Sequence, residues 1–150
     1  MIPIKEYLGL RQNSPRTACD VLLRQLPEAI ARWRSEQPLP QGRLKEEYIK
    51  VDSETGYVEI EPMDAADAAA TVGECDDVKD YGAIVANLLE TSMPHAARRV
   101  ALFADACCRG EYATIGDVML AVERRKSGGI YWWLVAIIAV LLVLLVFLNR

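Results

Sequence analysis

One histidine, four cysteines and a dense set of carboxylates are the residues of this chain that could carry chemistry. His95 follows Pro94 at an expected helix start, and Cys107 and Cys108 stand about three turns further along the same expected helix. At about 1.5 Å per residue that separation is roughly 18 to 20 Å, too far for the proton transfer on which a Cys–His pair depends. A pairing of His95 with Cys19 or Cys75 stays open. The four cysteines show no CxxC spacing. They read as thiols of a reducing compartment rather than as a disulfide or zinc framework. The adjacent Cys107-Cys108 reads first as two small apolar residues late in a helix, with a strained vicinal disulfide or a metal site shared with His95 as alternatives.

The carboxylates are unevenly spread. Residues 1–50 hold nine Lys/Arg against six Asp/Glu, residues 51–97 hold one Lys against eleven Asp/Glu, and residues 98–150 hold seven Lys/Arg against four Asp/Glu. Charges of +3, −10 and +3 follow, which sum to the net −4. Asp64 and Asp67 sit three residues apart on one face of an alanine-rich helix, and Glu74, Asp76, Asp77 and Asp80 cluster behind it. Such a group suits a divalent cation or an acid/base pair. However, Asp76-Asp77-Val-Lys-Asp80 lacks the alternate ligand spacing, central Gly and final Glu of an EF-hand loop. Acids in the first turn of a helix, where they meet the positive end of its dipole, are the plainer reading. No phosphate loop is present, since Gly128-Gly129 precedes an apolar run rather than a phosphate-binding helix. We therefore assign no catalytic residue, no metal site and no cofactor.

The acidic middle block also disfavours nucleic acid, because it would repel phosphates. A patch from Arg11, Arg16, Arg24, Arg32 and Arg34 is the exception. A helix–turn–helix fitted to residues 94–125 leaves its second helix exposing only Glu123, Arg124, Arg125 and Lys126. The block instead is a solvated acidic face, packs beside the basic ends of its own chain, or meets a protein partner with a basic surface. For a partner, Glu59, Glu61, Asp64 and Asp67 are the candidate contacts, at the hairpin end and the helix after it.

The elements that position these residues are read from periodicity. Ser14-Pro15 caps a helix whose Ala18, Val21, Leu22, Leu26, Ala29, Ile30 and Trp33 recur at three- and four-residue steps. Pro27 inside it should kink or split it near Leu26. Gln37-Pro-Leu-Pro-Gln-Gly42 reads as a short extended linker. Ile49 and Val51 alternate with polar neighbours, as do Val58 and Ile60, around the turn Asp52-Ser-Glu-Thr-Gly56. That is a β-hairpin whose apolar face must pack on helices or on another chain. Helices are expected from Pro62 to Val72, from Asp76 or Asp77 through Leu89, and from Pro94 to a stop at Gly110. A fourth opens at Thr114-Ile-Gly-Asp117, a capping box with Asp in place of Glu, and carries Ile115, Val118, Met119 and Val122 on one side. The fold class is α+β, mostly helical: a small helical domain over residues 1–126 with one β-hairpin.

Residues 130–148 differ from everything before them. They run Ile-Tyr-Trp-Trp-Leu-Val-Ala-Ile-Ile-Ala-Val-Leu-Leu-Val-Leu-Leu-Val-Phe-Leu, without a charge, Gly or Pro. As a helix they reach roughly the 30 Å of a bilayer's hydrocarbon core. A single C-terminal transmembrane helix, a tail anchor, is expected, joined to the domain by Ser127-Gly-Gly129 as a flexible joint. Arg124, Arg125 and Lys126 precede the span and Tyr131, Trp132 and Trp133 open it, the arrangement expected at a cytoplasmic membrane interface. The N-terminus has no signal-peptide pattern, so the domain is expected in the cytoplasm. The membrane would be a bacterial inner membrane, an internal eukaryotic membrane or a virion membrane. With the lipid bilayer and a protein as partners, the expected role is a non-catalytic adaptor, scaffold or accessory structural subunit. The alternative is a small lysis or toxin-type protein whose transmembrane helix is the effector. Against it, the span has no Gly or Ser to form a helix–helix seam.

The span makes a direct prediction. One arginine at mid-span costs about 2.5 to 3.5 kcal/mol on insertion scales. Val140→Arg together with Leu144→Arg should move the protein to the soluble fraction. If the double variant still resists carbonate extraction, some other region carries the anchoring.

Overall fold

A computed structural model describes residues 1–11, 13–36, 43–62, 76–92, 98–124 and 137–138. The chain divides into two compact units, Met1–Met119 and Leu120–Arg150. The first is mostly helical with a small antiparallel sheet, the α+β class expected from the sequence. In chain order it holds β1 (Ile2–Pro3), α1 (Ile4–Leu10), α2 (Pro15–Asp20), a π-helical turn (Val21–Gln25), α3 (Leu26–Glu36), a 3-10 turn (Glu46–Tyr48), β2 (Ile49–Val51), β3 (Val58–Ile60), α4 (Asp77–Ser92) and α5 (Arg98–Cys108). Residues 115–124 are helical (α6).

The hairpin has the expected register. Ile49 faces Ile60 and Val51 faces Val58, and all four side chains are buried while Glu59 points out. Its turn is held by Asp52, whose Oδ1 accepts from the backbone N–H of Glu54 at 2.9 Å and of Thr55 at 2.7 Å. Gly56 closes the turn with φ of +74°, which glycine adopts without steric cost. The sheet has a third strand that the hairpin pattern does not announce: β1 pairs with β2, Ile2 opposite Val51. It is two residues long with proline second, and proline is tolerated on an edge strand. Behind it α1 buries Ile4, Tyr7 and Leu8.

Pro27 does more than kink its helix. An α-helical ladder through it would press the proline ring onto the carbonyl four residues earlier. The chain instead widens into the π turn, and the N–H of Leu26 goes to the carbonyl of Val21. In that five-residue register the next donor would be residue 27, which has no N–H. The carbonyl of Leu22 is thereby left without a helical donor. The buried hydroxyl of Tyr81, from the middle of α4, donates to it at 2.9 Å. Burial pushes the Tyr81 phenol well up, so it keeps its proton and remains a donor. The neighbouring Gly82 lets α4 approach α5. A Cβ there would lie 2.8 Å from the Ala104 carbonyl oxygen and 2.9 Å from both Cys107 Cβ and Cys108 Sγ.

The apolar stripes are buried as expected. Ala18, Val21, Leu22, Leu26, Ala29, Ile30 and Trp33 form one, and Val78, Tyr81, Ile84, Val85, Leu88 and Leu89 another. The Trp33 Nε1 is buried with no acceptor among the described residues. On α5, Val100, Phe103 and Ala104 are buried, but Leu102 is 56% exposed, on the outer side of the helix. The stop at Gly110 has φ of +73°. Gly110 N–H bonds the Cys107 carbonyl and Glu111 N–H the Ala106 carbonyl, a Schellman pair. At the start of α6 the box is reciprocal: Thr114 N–H to Asp117 Oδ2 at 3.0 Å, and Asp117 N–H to Thr114 Oγ1 at 3.2 Å. Val118 is buried, with Ile115, Met119 and Val122 half-buried.

All but Pro62 of the expected alanine-rich helix from Pro62 to Val72, the 37–42 linker, the start of the Pro94 helix, the joint and most of the span lie outside the described residues. Ile137 and Ile138 are helical and exposed. Among the described residues no helix is long and apolar enough to cross a membrane.

The Leu22–Tyr81 bond gives the second prediction. Tyr81→Phe leaves a buried carbonyl unpaired and should cost about 1 to 3 kcal/mol. Pro27→Ala restores an N–H within reach of Leu22. In the Pro27→Ala background, Tyr81→Phe should therefore cost measurably less, a coupling readable in a thermal double-mutant cycle. Additive effects would show that the hydroxyl does not serve the carbonyl orphaned by the proline.

Candidate partner-binding surface

The acidic block was the sequence's candidate for contact, and its described part separates into three groups. The first caps. Asp76 precedes α4, and its Oδ1 accepts from the backbone N–H of Lys79 at 3.1 Å, with the Lys79 ammonium 3.0 Å from Oδ2. The bonds from Lys79, side chain first and backbone second, hold the Asp76 carboxyl below the usual range. The reading of these acids as first-turn residues holds here, because α4 begins at Asp77.

The second group pairs with basic residues of the N-terminal third. Asp77 takes a forked contact from Arg34 of α3. Arg34 Nε donates to Oδ1 at 2.8 Å and to Oδ2 at 3.0 Å, and Nη2 also donates to Oδ1. The Arg34 guanidinium lies over the Trp33 ring, 4.7 Å from its centroid. Asp80 is buried and receives Arg43 Nε at 2.7 Å and the Leu44 N–H at 3.2 Å. Burial pushes the Asp80 carboxyl up, against the pull of Arg43. Glu61 lies 3.6 Å from Lys50 across the hairpin, and both are partly exposed. Three acids thus neutralise basic residues of their own chain.

The third group faces water. Glu54, Glu59 and Glu90 are exposed, and none of them forms an ion pair among the described residues. Glu59 stands on the outer side of β3, beside Tyr57, which is 43% exposed and carries the Arg32 guanidinium 4.8 Å from its ring centroid. Arg32 also donates to the Val58 carbonyl at 2.9 Å. It covers part of the backbone of β3, the edge strand. Of the four candidate contacts, then, Glu59 is open, Glu61 is shared with Lys50, and Asp64 and Asp67 lie outside the described residues.

Of the expected membrane-interface residues, Arg124 is described; it is helical and exposed. Arg125, Lys126, Tyr131, Trp132 and Trp133 lie outside the described residues, as does His95. Cys107 is buried and Cys108 is an exposed free thiol, so the vicinal disulfide is not formed. Among the described residues no group of three His, Cys, Asp or Glu is placed to hold a metal ion. The Arg34–Asp77 and Arg43–Asp80 pairs were not foreseen. The partners are 43 and 37 residues apart, and no local pattern links them. One signal was present: Asp80 sits four residues before Ile84, on the margin of the buried stripe of α4.

No protein-family model, curated protein or solved structure matches the chain. Any functional reading therefore rests on its own residues.

The grouping predicts unequal effects. Asp77→Asn removes the charge from a half-buried forked pair and should lower stability by about 1 to 3 kcal/mol. Glu59→Gln should stay within about 0.5 kcal/mol, as a surface change does. Melting of the full chain in detergent compares them, and equal losses would show that the paired acids are no more structural than the open ones.

Proposed function

We propose that this chain is a tail-anchored, single-pass membrane protein whose N-terminal domain acts at the cytoplasmic face as a non-catalytic adaptor, scaffold or accessory subunit. A virion membrane, with the domain facing inward, is the near variant. The observation that carries the proposal is the segment 130–148, nineteen uncharged residues following a basic cluster. Tethering confines the domain to a surface and raises its effective concentration towards anything else held there, so modest contacts suffice.

The surface left for such contacts is narrower than the sequence suggests. Asp77, Asp80 and Glu61 are engaged within the chain. The open acids, Glu59 among them, the exposed Tyr57 and the expected helix carrying Asp64 and Asp67 remain. A partner with a basic surface suits this end of the domain. Rim charges mostly steer the encounter, so association should slow as ionic strength rises past about 0.15 M.

Crosslinking the anchored full chain in its membrane and identifying the co-purified protein tests this. Asp64→Lys with Asp67→Lys, and separately Glu59→Lys, should each reduce recovery of the partner several-fold while membrane attachment persists. Recovery at the wild-type level in both variants would leave the acidic block as a solvated face only. Growth arrest on expressing residues 127–150 alone, with no partner recovered by the full chain, would favour the lysis or toxin reading.

A further inference from the structure

Helix α5 buries one side and leaves the other open. Val100, Phe103, Ala104 and Cys107 are buried, whereas Arg98, Ala101, Leu102 and Asp105 are exposed. A surface leucine standing singly is ordinary, but Leu102 has charges arranged evenly about it. Arg98 lies three and a half residues before the midpoint of the Ala101–Leu102 step, and Asp105 three and a half residues after it. At about 3.6 residues per turn each is close to one full turn away. Both therefore stand on the line that bisects the exposed side, with Ala101 and Leu102 flanking it. Arg98 enters no ion pair among the described residues. Asp105 accepts from Arg109, which also donates to Glu111 Oε1, from Nη2 at 2.6 Å and from Nε at 3.0 Å. Arg109 thus keeps a carboxylate when Asp105 turns to another cation.

We propose that this side of α5 is a contact between two copies of the chain, packed antiparallel about a two-fold axis at the Ala101–Leu102 step. Charge selects a second copy as the occupant. The side carries a cation and an anion at equal distances from its centre, so a reversed copy of the same helix is its complement. Arg98 of each copy comes level with Asp105 of the other, and both pairs form at once, as an isologous interface requires. A parallel pair would instead set Arg98 against Arg98 and Asp105 against Asp105, a juxtaposition of like charges that is costly. Beside the axis Leu102 meets Leu102 of the second copy on one flank, covering an apolar side chain that is 56% exposed in the single chain. On the other flank Ala101 meets Ala101, small enough for the helices to approach to about 8 to 10 Å between axes. Three turns of helix make a contact at the small end of protein interfaces, below about 1,200 Å² in total, so association is weak and depends on local concentration. The contact needs no membrane and stands apart from the function proposed above, although confinement of both copies to one bilayer would strengthen it.

Energy transfer between full-length chains labelled at the N-terminus with donor or acceptor tests the contact, in detergent with micelles in excess and protein from about 10 μM to about 1 mM. Transfer should rise with protein concentration. Arg98→Asp and Asp105→Arg each set like charges against one another twice, and each should weaken association about tenfold or more. The double variant Arg98→Asp with Asp105→Arg restores opposite charges across the axis and should recover association to within about threefold of wild type. Leu102→Cys reports the register: in a Cys108→Ser background, mild oxidation should give a covalent dimer, whereas Glu28→Cys on α3 should not. No concentration-dependent transfer in the wild type, single variants that associate like wild type, a double variant as weak as the singles, or equal crosslinking at positions 28 and 102 would each overturn the proposal.

Discussion

A single proline sets the geometry of the helical half. Pro27 cannot donate, and its ring cannot share an α-helical turn with the carbonyl four residues before it. The π turn at Val21–Gln25 resolves the clash but strands the carbonyl of Leu22 in the core. A buried, unpaired carbonyl costs on the order of 1 to 3 kcal/mol, a large fraction of the 5 to 15 kcal/mol by which a domain is typically stable. Tyr81 removes that cost, and in doing so fixes where α4 must lie. Its neighbour Gly82 then sets the distance to α5. Within two residues, α4 is locked to the N-terminal helices by a hydrogen bond and to the next helix by the absence of a side chain.

The same helix collects two charge pairs and a further polar bond. Asp77 meets α3, Asp80 meets the segment entering β2, and Asn87 donates to Glu46 beyond it. An acidic segment beside basic ends can be an interaction surface or the inner half of a folded charge balance. Here part of it is the latter, because the partners supplied by the N-terminal third are Arg34, Arg43 and Lys50. These pairs differ in worth. The Lys50–Glu61 pair is partly exposed and contributes little. The forked Arg34–Asp77 contact is less exposed and directional. Asp80 is buried, and it combines a favourable pairing with the cost of lost hydration.

Local pattern carried some of this architecture and could not carry the rest. The hairpin was legible because Ile49/Val51 and Val58/Ile60 alternate around a glycine turn, and both capping acids and the Gly110 stop because caps are defined by neighbours in sequence. Helix phase was legible wherever a stripe ran for three turns. What escaped was short or distant. β1 has two residues and α1 seven, too few to show a period. Pro27 announced a disruption, but nothing local said that it would take π form or that Tyr81, more than fifty residues later, would serve the freed carbonyl. The candidate contacts show the same division: alternation placed Glu59 on the outer face of its strand, while nothing in sequence joined Asp77 to Arg34.

Position in the fold separates tied from open acids in the acidic block. Acids at the start of α4 are held by caps and arginines, and a charge held in that way is poorly available to a second protein, because a new partner must first displace the old one. Among the described residues Glu59 has no such tie, and it stands on an edge strand two residues from Tyr57, whose ring carries the Arg32 guanidinium. Aromatic and arginine side chains are the residue types that most often anchor protein contacts. At this one corner of the hairpin an open carboxylate, a tyrosine face and a partly covered strand edge coincide, a combination that the total charge of residues 51–97 does not describe. A domain tethered to a membrane can work through a patch of that size, since the tether supplies part of the encounter that a larger interface would otherwise have to provide.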